Sequence, residues 1–297
     1  MADGTLQARI SKAFRVRGDG PRQLYYAARR ASRFLSDGPR RAALRALPAP
    51  SFTIGQAEGF LVLPPGSFED LPAVVADARE TLVRYDAEHP HGGKNKKRFL
   101  FNVLDSTRVT RETPSMRFAL REDVLAAVSR YLGVVPFLTA ISVFHSDVVE
   151  GAPTSSQLHH CDGDDVTQVK IFVYCSDVDE GSGPLTILRA DDSERVRRHH
   201  GYQYRQRLTD QQVSDVVGSG REHAVLGPSG STVFVDTSRC FHYGSRVAKD
   251  AAPRLVTMIQ YQTPYSFMLP ASAQQTLAFR RLLDPSQSPL QRLVLGE

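Results

Sequence analysis

The sequence is poor in cysteine and has no long apolar run, and each absence excludes a class of protein. The 297 residues include three cysteines, at Cys161, Cys175 and Cys240, without a CxxC spacing. We therefore expect neither a disulfide framework nor a zinc site built on thiolates. We also expect a cytoplasmic location. No segment approaches the about 20 apolar residues of a membrane helix, and the N-terminus lacks the pattern of a secretory signal. With 41% hydrophobic and 23% charged residues, the composition is that of a globular protein.

Acidic residues are scarce at the start of the chain. The first 45 residues contain eleven arginines and lysines against three aspartates, a net charge of +8, whereas the whole chain carries +5. Residues 1–50 are predicted to form short basic helices separated by "RGDGP" and "SDGP". We expect a helical lid packed on the main domain, residues 51–297, with its arginines in solvent. The alternatives are contact with an anionic membrane surface or with an anionic substrate or partner.

The residue pattern changes after Pro136. The preceding part is mostly helical in pattern, whereas the following part contains short segments rich in β-branched and aromatic residues. These segments are "FLTAISVF", "QVKIFVYC", "PLTILRA", "STVFVDTS" and "RLVTMIQYQ". Because no long helices separate them regularly, they predict an antiparallel sandwich or barrel. A polar insertion at about 190–223, with a short helix capped at Thr209, is a second candidate lid.

The stretch "SSQLHHCDGDD", residues 155–165, is the densest group of metal-ligating side chains. On an extended strand residues i and i+2 share a face, so His160 and Asp162 point together while Cys161 points away. A third ligand is available at His242, at the end of another predicted strand. Two histidines and one carboxylate on one face leave other positions of an octahedron open, as in non-heme Fe(II) oxygenases.

Arg254 begins the strand "RLVTMIQYQ", twelve residues after His242. A guanidinium that projects into an apolar barrel is costly unless it meets an anion, and its planar fork suits a carboxylate. A dicarboxylate that chelates iron at one end and meets Arg254 at the other is 2-oxoglutarate. The open iron positions would receive this cosubstrate and dioxygen.

Two long stretches carry a family resemblance. "SQLHHCDGDDVTQVKIFVYCSDVDEGSGPLTIL" resembles the first half of the double-stranded β-helix of the phytanoyl-CoA dioxygenase family, a group of Fe(II)/2-oxoglutarate-dependent oxygenases. "GPSGSTVFVDTSRCFHYGS", followed by Arg254, resembles the second half. The resemblance covers about residues 135–265 and implies a mainly β, cupin-like jelly roll with flanking helices. It also implies that His160, Asp162 and His242 bind iron and that Arg254 binds the distal carboxylate of 2-oxoglutarate.

The resemblance gives further residues less definite roles. It places Phe172 inside the barrel, and Lys170 on the same face could contact 2-oxoglutarate or a substrate anion, or extend to the barrel mouth. The family often has a hydroxyl residue two positions after the distal histidine, where this chain has Gly244. The sequence leaves open whether Ser245 or Thr257 supports the carboxylate instead.

Several other polar residues are expected to lie outside the ligand set. A second His-x-Asp, at His145 and Asp147, precedes the part of the sheet in which the motif is expected, and His159 is expected at the surface. Asp236 and Arg239 are expected to hold the turn that orients the distal histidine. The basic loop "KNKKRF", from Lys94, is a solvated surface or a contact to an anionic group.

The expected function is hydroxylation, or another oxidation, of an unactivated C–H bond in a small and polar or anionic molecule. Ascorbate is a candidate reductant. By the family resemblance, the carboxylate at Asp162 favours hydroxylation over halogenation. The alternatives are a cupin-type metalloenzyme that does not use 2-oxoglutarate and a non-catalytic binding protein on the same barrel. No nucleic-acid partner is expected, because the chain after Arg45 is slightly acidic and has no recognisable binding module.

Overall fold

The structure is a computed structural model that describes residues 2–89, 99–148, 151–269 and 277–297. The basic loop at 94–98 therefore lies outside the described residues. The helices are α1 (Ala2–Arg15), α2 (Asp19–Ser32), α3 (Gly38–Ala46), α4 (Leu71–Glu88), α5 (Pro114–Ala119), α6 (Glu122–Leu132), α7 (Ala190–His200), α8 (Asp210–Val217) and α9 (Pro289–Leu295). The strands are β1 (Phe60–Leu63), β2 (Leu100–Asn102), β3 (Phe137–Ser146), β4 (Gln168–Tyr174), β5 (Thr186–Leu188), β6 (Glu222–Ala224), β7 (Thr232–Val235), β8 (His242–Tyr243) and β9 (Arg254–Gln262).

The strands form two antiparallel sheets, which confirms the expectation of antiparallel sheets with flanking helices. Six strands form the larger sheet in the order β1-β7-β4-β9-β3-β2, and three form the smaller one in the order β6-β5-β8. β9 lies inside the larger sheet and pairs with β3 on one side and β4 on the other. Its apolar, β-branched composition suits a strand whose two faces are both covered.

The two faces of the larger sheet have different partners. Successive side chains of a strand alternate between faces, so Leu255 and Ile259 of β9 point to one side and Val256 and Met258 to the other. Leu255 and Ile259 belong to the main hydrophobic core, which includes residues of α4, α5, α6 and α9. Val256 packs in a second cluster with Ile187 of the smaller sheet. The cavity described below therefore opens between the two sheets.

Buried arginines attach the N-terminal helices to the rest of the chain. Arg22 donates to the backbone carbonyl of Gly163 at 3.0 Å, Arg29 to that of Ser266 at 2.7 Å, and Arg40 to two carbonyls just before β3. All three side chains are buried. The expectation that the arginines of this segment lie in solvent is therefore wrong for these three. Their guanidinium N–H groups satisfy backbone oxygens of distant segments, and helical periodicity does not reveal such oxygens.

The polar insertion contains α7 and α8, and Thr209 caps α8 as expected. The Thr209 hydroxyl accepts from the backbone N–H of Gln212 at 3.3 Å, and the Gln212 side chain accepts from the Thr209 N–H at 2.9 Å. The residue before this cap, Leu208, forms a β-bridge with His159. Among the residues that the structure describes, no helix combines the length and hydropathy that a membrane span requires.

Candidate metal and carboxylate site

A backbone bridge holds His160 and His242 opposite each other. The N–H of His160 donates to the carbonyl of His242 at 3.1 Å, and the reverse bond is 3.0 Å long. Residues that exchange both hydrogen bonds are direct neighbours on one face of an antiparallel pair. Their ring centroids are accordingly 4.3 Å apart. The N–H of Asp162 donates to the carbonyl of Thr237 at 2.8 Å, which extends the pairing and brings the side chain at 162 to the same face.

Three side chains converge at this bridge. One ligand atom from each of His160, Asp162 and His242 lies within 4.8 Å of the other two. Nε2 of His160 is 3.9 Å from Oδ1 of Asp162, and Nε2 of His242 is 3.8 Å from Oδ2. Adjacent ligand atoms that bind one ion at about 2.1 Å are about 3 Å apart. The two nitrogen–oxygen separations therefore need to shorten by only about 1 Å for these atoms to hold one metal ion.

Both histidines present the nitrogen that a metal requires. Nδ1 of His160 lies 2.9 Å from the carbonyl oxygen of Leu158, and Nδ1 of His242 lies 3.1 Å from that of Cys240. Because a carbonyl only accepts, each Nδ1 carries the proton and each Nε2 directs a lone pair into the cluster. Burial lowers the pKa of both imidazoles below the ordinary value, so both are neutral at pH 7.

Lys170 forms an ion pair with the carboxylate of the cluster, a contact that sequence reasoning missed. Its Nζ lies 2.8 Å from Oδ2 of Asp162, and the two side chains are 16% and 18% exposed. Burial raises the pKa of Asp162, but the ammonium of Lys170 outweighs this effect, and the pKa is below its ordinary value. Burial lowers the pKa of Lys170, and Asp162 outweighs this effect in turn. The pair is therefore charged on both sides.

A cavity of about 200 Å³ extends from this cluster to Arg254. The guanidinium is buried, and its Nη2 donates to Oγ of Ser245 at 3.1 Å and lies 3.4 Å from Oγ of Ser146. Among the described residues, its Nε has no hydrogen-bond partner and no acidic side chain contributes to its electrostatic surroundings. Burial lowers the pKa of Arg254. Within the described part of the chain, this buried cation therefore has hydroxyl neighbours and no anion.

Gly244 and Ser245 fit closely around this guanidinium. A Cβ at position 244 would lie 3.2 Å from Nη2 of Arg254, so the close approach favours glycine there. Ser245 has a φ of 61°, a left-handed conformation that is uncommon for a residue other than glycine. This turn brings its hydroxyl onto Arg254 and within 2.9 Å of the Ser146 hydroxyl. The hydroxyl group beside Arg254 therefore comes from Ser245, one residue after the position at which the family resemblance places it.

The structure places Thr257 away from this cavity. Thr257 lies three residues after Arg254 on the same strand, so strand alternation turns it to the opposite face. Its hydroxyl lies 3.4 Å from Sγ of Cys175. The expectation that Thr257 supports the carboxylate is therefore corrected. Phe172, by contrast, lines the cavity, and Ser146 was missed although it stands directly opposite Arg254 in the β3–β9 register.

The expectation for His159 is also wrong, because the side chain is buried. It is 1% exposed and lies edge-on to Tyr243, with a centroid distance of 4.7 Å. Its Nε2 is 3.3 Å from Oδ1 of Asp210. Burial lowers the pKa of His159 to about 4, because desolvation outweighs the attraction to Asp210. His159 and His160 are consecutive residues of one extended segment and face opposite sides.

The turn before His242 has the support that the sequence indicates. The buried Asp236 carboxylate accepts from the backbone N–H groups of Ser238 and Arg239, both at 3.1 Å. It also accepts from the Tyr131 hydroxyl at 3.0 Å. In the second His-x-Asp motif, His145 pairs with Phe101 of β2 and is not among the residues that line the cavity.

No protein-family model and no curated protein sequence matches the chain. Among solved structures, HygX from Streptomyces hygroscopicus with nickel and 2-oxoglutarate bound is 19% identical, with 70% of this chain and 83% of that chain covered and a TM-score of 0.46. EctD from S. alaskensis with 2-oxoglutarate and 5-hydroxyectoine is 12% identical, with 73% and 79% covered and a TM-score of 0.47. SnoN, a non-heme alpha ketoglutarate dependent epimerase from nogalamycin biosynthesis, is 18% identical, with 75% and 83% covered and a TM-score of 0.42.

Proposed function

We propose that the chain is an Fe(II)- and 2-oxoglutarate-dependent oxygenase that hydroxylates, or otherwise oxidises, a C–H bond of a small molecule. One observation carries the proposal: a single cavity has a two-histidine, one-carboxylate cluster at one end and, at the other, a buried arginine that has no acidic partner among the described residues. Neither end alone distinguishes this class from other metalloenzymes. Together they fit a ligand that chelates a metal and also carries a distant negative charge.

The donor set fits iron. Two imidazole nitrogens and one carboxylate oxygen on one side of an ion leave the remaining coordination positions free for exogenous ligands, as in the Fe(II) oxygenases. In this chain His160, Asp162 and His242 would hold the ion. Lys170 binds Oδ2 of Asp162, which leaves Oδ1 for the metal. The cavity carries one negative and two positive side chains before any ion binds, so a divalent cation makes it strongly attractive to a dianion.

The arginine end fits the distal carboxylate of 2-oxoglutarate. A buried guanidinium without a counter-ion costs several kcal/mol of desolvation free energy, and a carboxylate offsets this cost through charge-assisted hydrogen bonds. Arg254 offers its fork, and the Ser245 and Ser146 hydroxyls lie beside it. A cupin-type metalloenzyme that does not use 2-oxoglutarate would have no need of this arrangement.

The side chains contribute binding and orientation. Iron and 2-oxoglutarate, when bound with dioxygen, supply the oxidising power for an unactivated C–H bond, which no side chain provides. Both imidazoles are fixed as Nδ1–H tautomers by backbone carbonyls, so metal binding displaces no proton from them. Phe172, Val256 and Met258 give the cavity apolar walls that limit access of water. No nucleophile or general-base pair is needed.

The proposal extends to the architecture. We assign residues 51–297 to the oxygenase domain and about 135–265 to a double-stranded β-helix, or jelly roll, of the phytanoyl-CoA dioxygenase type. Two antiparallel sheets that enclose a shared apolar cluster support this assignment. The β-bridges between His160 and His242 and between Val178 and Gly227 link segments outside the main strands across the same region.

Turnover of the cosubstrate tests the proposal without knowledge of the substrate. Protein loaded with Fe(II) under anaerobic conditions is mixed with 2-oxoglutarate, ascorbate and air, and succinate formation and oxygen uptake are measured. We expect slow, metal-dependent succinate formation that Asp162→Ala abolishes and that Val83→Ser, on the exposed side of α4, leaves unchanged. Absence of succinate above the protein-free background, or turnover unaffected by Arg254→Met, would overturn the proposal.

A further inference from the structure

One side of α2 presents an apolar stripe to solvent. The most exposed members are Leu24, Phe34 and Leu35, at 71%, 61% and 88% exposure. Three exposed alanines, at 27, 28 and 31, complete the α2 stripe. At 100° per residue, Leu24 and these alanines fall within one face of the helix, and Phe34 and Leu35 follow in the turn that continues it. An exposed apolar patch is typical of an interaction surface, whereas single exposed apolar residues need no explanation.

The opposite side of the same helix is fixed to the candidate metal site. Arg22 and Arg29 project from that side, and Arg22 donates to the carbonyl of Gly163, the residue after Asp162. Tyr26 lies edge-on to Tyr265, with ring centroids 5.2 Å apart. These contacts fix the orientation of the helix, and the α2 stripe is exposed because it lies on the side that faces away from them.

A basic rim borders the α2 stripe. The Arg41 guanidinium stacks on the ring of Phe34 at 4.1 Å, and Arg45 follows one turn later on α3. Arg30 projects from the edge of the stripe on α2, and Arg17 precedes the helix. Arg17, Arg30 and Arg45 are exposed, and among the described residues no carboxylate forms an ion pair with any of the four. The arginines of the N-terminal helices thus fall into two sets. Some are buried and bind backbone carbonyls, whereas the four of the basic rim are available to an external anion.

The charge of this region favours one occupant. The first 45 residues carry a net charge of +8. A second copy of the chain docked on the same patch would bring two such segments together, which repulsion opposes. A bilayer with anionic headgroups instead offers negative charge to the rim and an apolar boundary to the stripe. This combination is the one that interfacial helices use.

We infer that the α2 stripe and its basic rim form a docking surface for an anionic lipid bilayer. Docking would hold α2 between the lipid headgroups on one side and the loop at 163–165, which follows Asp162, on the other. The chain would then work at a membrane surface. This inference does not depend on the proposed oxygenase activity, because it rests on exposure and charge alone.

Vesicle sedimentation of the full chain tests it. The probes are vesicles of phosphatidylcholine alone and of phosphatidylcholine mixed with phosphatidylglycerol, at low and at high salt. We expect the protein to pellet with the mixed vesicles at low salt, to pellet weakly with the neutral ones, and to be released by high salt. The double variant Leu24→Ser/Leu35→Ser should reduce the partition coefficient by about tenfold or more, because it removes two apolar side chains from the interface.

Matched substitutions separate docking from unfolding. Val83→Ser changes another apolar residue, 70% exposed, on α4 and should pellet as the unchanged chain does. Arg41→Gln/Arg45→Gln should weaken pelleting, whereas Arg198→Gln on α7 should not. All variants should keep the thermal midpoint of the unchanged chain, since every altered side chain lies at the surface. Equal pelleting with neutral and anionic vesicles, or unchanged pelleting of the Leu24/Leu35 variant, would overturn the inference. So would a concentration-dependent dimer that this variant abolishes, because a second copy would then occupy the stripe.

Discussion

The two ends of the cavity differ in how their charges are balanced. At the cluster of His160, Asp162 and His242, the one carboxylate has the ammonium of Lys170 at 2.8 Å, and both imidazoles are neutral. At the other end, Arg254 is buried and, among the residues that the structure describes, meets hydroxyl groups and no acid. At the first end the ligand atoms are already placed for a metal cation. At the second end the buried guanidinium carries a desolvation free energy that a bound anion would offset. An unbalanced buried charge is thus a better sign of a ligand than a number of polar groups.

The largest effect should come from removal of the carboxylate at the metal end. Asp162→Ala deletes one of three ligands and leaves Lys170 as an unpaired cation beside the two imidazoles. We expect the affinity for Mn(II), measured by calorimetry without 2-oxoglutarate, to fall by more than about a hundredfold. Arg254→Met is the control and should keep the affinity of the unchanged chain. Metal binding by Asp162→Ala at full strength would exclude Asp162 as a ligand.

Arg254→Met removes the guanidinium at the other end of the cavity. Loss of one partner of a buried charge pair costs about 3–4 kcal/mol, so affinity for 2-oxoglutarate should fall by about 10²- to 10³-fold while metal affinity stays the same. Urea unfolding of the ligand-free variant should show a gain in stability of about 1 kcal/mol or more, because a desolvated cation has been removed. Arg254→Lys keeps the charge without the fork and should be intermediate in affinity. A loss of stability in Arg254→Met would show that the guanidinium is balanced within the protein.

Lys170→Met tests whether the metal end depends on its internal counter-charge. The substitution leaves the half-buried Asp162 carboxylate without a cationic partner, so the free energy of unfolding of the metal-free protein should fall by about 3 kcal/mol. A bound divalent ion replaces the ammonium, so saturating Mn(II) should recover most of this loss. Chemical unfolding with and without metal measures both values. An equal loss under both conditions would mean that Lys170 stabilises the fold independently of the metal site.

A histidine that faces away from the cluster should give a pH dependence of its own. The pKa of His159 is about 4 in the folded protein, against about 6.5 when it is unfolded, so the unfolded chain binds more protons between these values. The free energy of unfolding should therefore be highest above pH 6.5 and fall by up to about 3 kcal/mol as the pH drops toward 4. His159→Leu should show a shallower fall in metal-free buffer. Parallel curves for the two proteins would mean that His159 is not buried in its neutral form.

The smallest effect concerns the hydroxyl groups beside Arg254. Ser245→Ala removes one neutral donor from the arginine end, worth about 1 kcal/mol, and should weaken 2-oxoglutarate binding by about three- to tenfold. Thr257→Val, on β9, is the matched control and should leave binding unchanged, because Thr257 faces away from the cavity. A larger effect of Thr257→Val than of Ser245→Ala would reverse the correction made for these residues.

Some features of the site follow from local rules of the sequence. The i, i+2 spacing places His160 and Asp162 on one face, and the same alternation separates Arg254 from Thr257. The candidacy of Thr257 therefore could have been rejected by counting three residues along a strand. His242 was expected at the end of a strand, but it begins β8, and its place opposite His160 depends on the bridge between the two segments. Helix caps such as Thr209 are equally local, since the capping bonds join residues three apart.

Other features depend on contacts between distant segments. The ion pair of Lys170 with Asp162 depends on how β4 is placed against the segment that carries the metal ligands, and Ser146 reaches Arg254 only through the β3–β9 register. The burial of Arg22 depends on a carbonyl oxygen 141 residues away. Arginine is expected at the surface because of its charge, and no periodic pattern in the sequence shows where an unpaired backbone carbonyl will lie. Such contacts need the three-dimensional structure.

The central claim is that one cavity binds a metal-chelating group and a distant carboxylate together. Anaerobic titration of the Fe(II)-loaded protein with 2-oxoglutarate and with 2-oxobutyrate tests it directly, because both compounds chelate through the same 2-oxo acid and only the first has a distal carboxylate. We predict that 2-oxoglutarate binds at least about a hundredfold more tightly and that Arg254→Met removes this preference. Equal affinities for the two acids in the unchanged chain would contradict the account.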